Sequence, residues 1–201
     1  MDSFLVDLKN DDVESFKQTK DLLGDSDLSS DSILPDIFNN NPNLIAYASY
    51  YGAIDCFNYL IKEGESVENV DDELRSAIHF ACAGGNYKMV KTLIEDFDQL
   101  NHIDSLGRSP LHYSAEYNKT EIAKLLIATQ VEKYEYINGI SSFVNKKDIF
   151  GVTALHIAVE NNNEELVDYL LENSANVNLC DTDGCAVIHI AAKIGSYNLI
   201  S

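Results

Sequence analysis

Four histidines recur in similar surroundings along the sequence, and imidazole can act as a general base, a metal ligand or a structural hydrogen-bonding group. His79 and His112 are 33 residues apart, His156 and His189 repeat that spacing, and 44 residues separate His112 from His156. If each histidine lies in its own helical unit, neighbouring units pack roughly 10 Å apart. A zinc ligand must lie about 2.0–2.1 Å from its ion. Histidines one unit apart therefore cannot share an ion, and we interpret them as structural.

The other reactive residue types form no catalytic pattern. The four cysteines, Cys56, Cys82, Cys180 and Cys185, contain no C-x-x-C pair and are expected to be reduced thiols. The glycines in "GVTALH" and "CAGGNYK" lack the lysine of a phosphate-binding loop at its required spacing. The carboxylates are scattered and do not suggest an acid–base pair in one cleft. The sequence predicts no enzyme, no catalytic residue, no metal site and no cofactor.

The charge of the chain narrows the classes of partner. Thirty-three Asp and Glu residues face 14 Lys and Arg residues, for a net charge of −19. Such a field repels nucleic acid and anionic membranes and favours a protein partner that is basic; the alternative is that the charge only maintains solubility. No apolar run reaches the roughly 18–20 residues of a membrane span, and the N-terminus lacks the pattern of a secretory signal. We expect a cytoplasmic protein.

A repeat organises the chain. Residues that tolerate a left-handed backbone conformation recur at the same spacings as the histidines: Gly52, Gly85, Asn118, Asn162 and Gly195. Each unit predicts two short helices, the first rich in small residues, as in 154–161, and the second with a leucine-rich face, as in 164–172. Helices this short are marginal alone and become stable by stacking on their neighbours. The sequence therefore predicts an all-α solenoid.

The stretches "DSLGRSPLHYSAEYNKTEIAKLLI", "DIFGVTALHIAVENNNEELVDYLLENSANVN" and "DTDGCAVIHIAAKIG" resemble ankyrin repeats. The resemblance implies helix-turn-helix repeats with β-hairpin-like turns, at about 39–70, 71–103, 104–147 with an insertion, 148–180 and a truncated 181–201. It also implies that the histidine ties adjacent units together and that the preceding Ser or Thr caps the first helix. Departures from the pattern are Ala46 and Asn43 in the first unit, Leu74 in the second, and Ala186 with Val187 in the fifth.

The remaining segments leave alternatives open. Residues 1–38 are acidic and resemble a degenerate half-repeat that caps the solenoid, or else form a disordered tail, with 24–32 as a connector. The insertion around 128–144 carries Tyr134, Tyr136, Ile137, Ile140 and Phe143. It forms either a binding loop or a helical extension. The last unit ends with Ile190, Ile194, Leu199 and Ile200 uncovered, which suggests a longer protein or, in place of a monomer, self-association.

The resemblance implies a protein–protein interaction module that holds its partner on the concave surface. The exposed positions of the family pattern, together with the residue types that dominate interfaces, give one candidate stripe: Tyr50, Tyr51, Arg75, Leu106, Arg108, Tyr117 and Phe150. The alternative is a scaffold, a structural or regulatory arm of a longer and possibly enzymatic protein. Asn178 in "LLENSANVN" also resembles asparagines that are hydroxylated in other ankyrin proteins.

Overall fold

The computed structural model describes residues 2–23, 35–134 and 137–196, and forms two compact units, Met1–Ser105 and Leu106–Ser201. The predicted connector at 24–32, Tyr136 and the C-terminal Leu199 and Ile200 lie outside the described residues. Within the described ranges the secondary structure is helical apart from turns and one isolated bridge between Cys180 and Ala186. The all-α prediction is confirmed.

The first unit contains three successive helical pairs. They are α1 (Asp2–Asn10) with α2 (Val13–Leu23), α3 (Leu44–Tyr51) with α4 (Ile54–Lys62), and α5 (Ala77–Gly84) with α6 (Tyr87–Glu95). Short 3-10 turns occupy Asp36–Phe38 and Gln99–Asn101. Each pair packs internally, and α3 packs against α5. These contacts bury the apolar faces that a single pair would expose.

The second unit follows the same plan with one enlarged pair. Its helices are α7 (Pro110–Glu116), α8 (Thr120–Tyr134), α9 (Ile137–Val144), α10 (Ala154–Glu160), α11 (Glu164–Glu172) and α12 (Val187–Ile194). The first helices pack in the order α7, α10, α12, and α8 packs against α11. The repeated helix pairs predicted from the 33-residue spacing are therefore present.

The N-terminal helical pair packs on the pair that follows it. Phe4 and Phe16 are buried with ring centroids 5.4 Å apart, and Phe4 also meets Tyr47 of α3 at 6.3 Å. The carboxylate of Asp11 accepts hydrogen bonds from the amides of Asp55 and Cys56, both at 2.9 Å. An acidic group at the first turn of α4 also suits the helix dipole. Residues 2–23 therefore form a helical pair that packs on α3 and α4, while the capping half-repeat stays a prediction.

Two of the recurrent histidines link their own repeat to the turn of the next repeat. In α10, the backbone N–H of Thr153 donates to Nδ1 of His156 (3.3 Å), so the proton of the neutral ring resides on Nε2, which donates to the carbonyl of Cys185 at 3.3 Å. His112 repeats both contacts, with Ser109 at 3.2 Å and the carbonyl of Val152 at 3.2 Å. These hydrogen bonds carry the structural role that the sequence predicted.

Acid should weaken this linkage at His156. Burial lowers the pKa of His156 below its ordinary 6.5, while its bond to the Cys185 carbonyl and the charge of Asp181 act in the opposite direction and Lys147 assists the lowering. The unfolded chain therefore binds more protons just below pH 6.5, and the free energy of unfolding falls as the pH drops from 6.5 through the folded-state pKa.

Urea unfolding of the native chain and of His156→Asn, followed by circular dichroism between about pH 5.5 and 7.5, measures this effect. The variant is less stable at neutral pH, and its deficit narrows toward acid because only the native chain must take up this proton. A deficit that stays constant across the range contradicts the prediction.

In the first repeat, which lacks the histidine, an asparagine serves in its place. Asn43 caps α3 by accepting from the amide of Ala46 (2.8 Å), and its amide nitrogen donates to the carbonyl of Asn69 at 3.2 Å. One side chain thus supplies both a helix cap and a contact to a later turn. Asn43, three residues before Ala46, therefore compensates for the absence of a histidine at position 46.

Turns that connect successive repeats are built in the same way. The turns at Asp71, Asp148 and Asp181 each open with an aspartate whose Oδ1 accepts two backbone amides; for Asp148 these are Phe150 and Val152, both at 2.9 Å. The left-handed position is glycine in the later turns, as at Gly151 (φ 75°), but Leu74 occupies it in the second repeat with φ 58°. A left-handed leucine costs roughly 1–2 kcal/mol, so this departure is a local strain.

The described part of the insertion in the third repeat is helical. Helix α8 has 15 residues, whereas α4, α6 and α11 each have 9, and α9 follows and packs against α8. Phe143 and Val144 of α9 are buried. Of the two alternatives, the structure shows the helical extension.

Candidate interaction surface

Tyr50 and Tyr51 lie at the C-terminal end of α3, half-buried in an aromatic cluster of the first unit. Tyr50 meets the ring of Phe38 at 4.9 Å, and Lys9 stands over the Tyr51 ring at 5.3 Å. Burial raises the pKa of both phenols. Each tyrosine is partly exposed, and a partly exposed tyrosine combines an apolar ring with a polar hydroxyl, which suits an interface.

Arg75 does not lie on the surface, and the prediction that it is an exposed turn residue is wrong. Its residue exposure is 5%, its Nε donates to Oδ2 of Asp71 at 2.7 Å, and its Nη2 lies 2.6 Å from the same oxygen in an ion pair. The guanidinium also stacks over Phe80, 5.2 Å from the ring centroid. The turn aspartate and the aromatic ring of α5 draw the side chain inward, so it stabilises the turn.

Arg108 is also held by neighbours within the second unit. Its Nη1 pairs with Glu116 at 3.0 Å, and its Nε lies 3.6 Å from Oδ2 of the buried Asp148. The side chain retains 26% exposure. Arg108 therefore joins its own turn to the following one and leaves only part of its surface for another protein.

Leu106 and Phe150 lie on consecutive turns of the second unit. The amide of Ile149 donates to the carbonyl of Leu106 at 2.9 Å, which places these turns side by side. Phe150 is 49% exposed and Ile149 is 58% exposed, while Leu106 is half-buried. We name Leu106, Ile149 and Phe150 the turn patch. Ile149 was missed from the sequence because the family pattern does not mark the residue after the turn aspartate as a contact.

Tyr117 is half-buried at the C-terminal end of α7, where its amide bonds to the carbonyl of Tyr113 at 3.0 Å. The neighbouring repeat reaches this helix end, since the side-chain amide of Asn161 donates to the carbonyls of Ala115 and Glu116 at 3.0 and 3.1 Å. Tyr117 thus lies beside a fixed junction of α7 and α10. The structure does not place it in the turn patch.

A groove that sequence reasoning missed runs along α10 and α12. It begins at the turn that contains Asp183, with a volume of about 320 Å³, and continues past Glu160 and Ile194 into a wider depression of about 520 Å³ near Gly195. The signal in the sequence was the pair of i, i+4 positions His156–Glu160 and Ile190–Ile194, which place these side chains on single helix faces.

The two buried thiols, Cys56 and Cys82, are poorly suited to nucleophilic chemistry. Burial raises the pKa of the Cys56 thiol to about 12 and raises that of Cys82 as well, and the thiolate is the reactive form. Across residues 2–23, 35–134 and 137–196, no three His, Cys, Asp or Glu side chains cluster in a way that could hold a metal ion. Over the same ranges, no helix has the length and apolar content to cross a bilayer.

The sequence matches the family model described as ankyrin repeats (3 copies), over residues 44–138 and 131–201. The chain belongs to the ankyrin-repeat family. The match covers most of the chain and confirms the ankyrin solenoid predicted from the Asp-x-x-Gly turns and the recurrent histidines. Ankyrin repeats are generally protein-interaction modules.

Several curated proteins are similar to this chain. Inversin of Mus musculus is 27% identical over 158 residues, which are 79% of this chain and 14% of inversin. The nuclear factor NF-kappa-B p105 subunit of Gallus gallus is 34% identical over 140 residues, 68% of this chain and 13% of that protein. An L-asparaginase of Dirofilaria immitis is 26% identical over 182 residues, 79% of this chain and 31% of that protein. The ankyrin chain spans less than a third of each.

Proposed function

We propose that this ankyrin chain is a non-enzymatic module that binds a partner protein through the turn patch of its second unit. The observation that supports this most is the exposure of Ile149 and Phe150 beside Leu106 in a chain of net charge −19. Large apolar side chains on adjacent rigid turns lose contact with water when a partner covers them. Arg75 is withdrawn from the contact set because it is buried.

The other predicted contact residues have separate roles in this proposal. Tyr50 and Tyr51 form a second aromatic contact in the first unit, Arg108 flanks the turn patch in the second unit, and Tyr117 adds a separate contact at the C-terminal end of α7. The four thiols are unpaired, which supports a reducing compartment such as the cytoplasm.

Leu106→Asp combined with Phe150→Asp tests the proposal. The two carboxylates place charge where the partner's apolar surface must lie, so we expect capture of the partner to fall at least about tenfold. Affinity purification of the full chain from cells, with quantitative mass spectrometry, measures the loss. Circular dichroism establishes that the variant remains folded.

The matched control is Leu171→Asp with Val177→Asp. These residues are 40% and 43% exposed in the same unit but lie on α11 and beyond it, so this pair should retain the partner. Equal capture by the native chain and the turn-patch variant would refute the proposal.

A second candidate function is a structural or regulatory arm within a longer protein. The observation in its favour is that the similar proteins named above are several times longer than this chain. An arm of this kind captures no specific partner when the 201 residues are expressed alone, whereas an independent module does.

A further inference from the structure

We propose that the groove between α10 and α12 receives an extended partner segment that carries a lysine or arginine beside an aliphatic residue. This inference rests on the proposed binding function, since it names the chemistry of the partner at a neighbouring site. The groove adjoins the turn patch because the amide of Thr182 donates to the carbonyl of Phe150 at 2.8 Å. A partner seated on the patch can therefore continue into the groove.

The electrostatics of the groove favour a cation. The narrower part of the groove, near Asp183, is lined by three carboxylates, from Glu160, Asp181 and Asp183, and by one ammonium group, that of Lys193. Asp181 uses Oδ1 to accept the amides of Asp183 and Cys185 at 2.9 and 2.8 Å. Glu160 and Asp183 are exposed, and the structure records no ion pair for either carboxylate within the described ranges. Both are available to a basic side chain, and the charge of the whole chain adds to their attraction.

The apolar side chains of the groove favour an aliphatic residue next to the basic residue of the bound segment. Ile190 and Ile194 lie one helical turn apart on α12, with Ile194 40% exposed, and Val152 lines the opposite side. Covering one such side chain removes apolar area from water at roughly 25 cal/mol per Å². A strongly charged peptide without an apolar residue would forgo this contribution.

The length of the groove sets the length of the segment. Helix α10 has 7 residues, which correspond to about 10 Å of rise at 1.5 Å per residue. An extended chain advances about 3.3 Å per residue, so about three to four residues of the partner lie along the helices. That length accommodates one basic and one aliphatic side chain.

Selection from a random 12-residue peptide library on phage, with the full 201-residue chain as bait, tests the inference. We expect enrichment of peptides that place Lys or Arg next to Leu, Ile or Val. A fluorescein-labelled copy of the most enriched peptide then gives dissociation constants by anisotropy. Glu160→Gln with Asp183→Asn should weaken it by about tenfold, and the affinity should fall with added salt.

The matched control removes two other carboxylates from the same unit. Glu172→Gln with Asp168→Asn deletes the same charge from α11, outside the groove, and should change the dissociation constant less than about twofold. Equal weakening by both pairs, or enrichment of peptides without basic residues, would overturn the inference. Glu160→Lys with Asp183→Lys should instead select acidic peptides.

Two further outcomes separate this inference from the broader proposal. If the cellular partner depends on Leu106 and Phe150 but is insensitive to Glu160→Gln with Asp183→Asn, the module binds and the groove inference fails. If analytical ultracentrifugation shows self-association that Glu160→Lys with Asp183→Lys abolishes, the occupant is a second copy of this chain, and the inference is also overturned.

Discussion

Arg75→Ala should lower the free energy of unfolding by about 3–5 kcal/mol, because removing one partner of a buried ion pair leaves the other charge uncompensated. The carboxylate of Asp71, buried in the same turn, would keep its two amide donors, Glu73 and Arg75 at 3.0 and 2.8 Å, but lose its cation. The ring of Phe80 would lose the guanidinium stacked over it. Urea unfolding at neutral pH measures the change.

The control for Arg75 is a surface ion pair in the same unit. Lys91 and Glu95 lie 3.7 Å apart with both side chains more than half exposed, so Lys91→Ala should cost less than about 0.5 kcal/mol. If Arg75→Ala were equally mild and instead released the binding partner, Arg75 would be a contact residue and not a support of the turn.

Asp148→Ala should lower the free energy of unfolding of the chain by about 2–4 kcal/mol. The substitution removes the acceptor for the amides of Phe150 and Val152 and leaves them without their partner, and a lost buried acceptor costs about 1–3 kcal/mol. It also removes the carboxylate that faces Arg108 at 3.6 Å. Because this turn carries Phe150, partner capture should fall together with stability.

Asp181→Ala is the matched variant, since Asp181 makes the same pair of amide contacts in the following turn. Asp181 is half-buried where Asp148 is 6% exposed, so water can partly replace the lost acceptor and the cost should be about 1 kcal/mol. Chemical denaturation of both variants gives the comparison. Equal losses would show that burial does not set the strength of these turns.

The sequence sufficed for features that depend on local repetition. The spacing of His112, His156 and His189 predicted one unit after another, and the Ser or Thr before each of the first two histidines predicted the start of its helix. These features follow from backbone geometry and hydrogen bonds across three residues, so they hold wherever the motif is intact.

Features that depend on neighbours in space were beyond the sequence. Arg75 and Arg108 occupy corresponding turn positions, but one pairs inside its own turn and the other reaches the next turn, at Asp148. The choice depends on the ring of Phe80 beneath Arg75 and the carboxylate of Glu116 beside Arg108. The groove likewise arises from two helices that are separated along the chain, and its charges become a set only after they pack.

The hydrogen bonds between successive turns have a kinetic consequence. The amide of Ile149 donates to the carbonyl of Leu106, and the amide of Thr182 donates to the carbonyl of Phe150. Each of these two turns of the second unit is therefore hydrogen-bonded to the turn immediately before it. Every such closure joins residues only a few dozen positions apart, which keeps the loop entropy of each step small. Folding can then proceed rapidly from one repeat to the next, and a nascent chain can add folded repeats in the order in which the ribosome releases them.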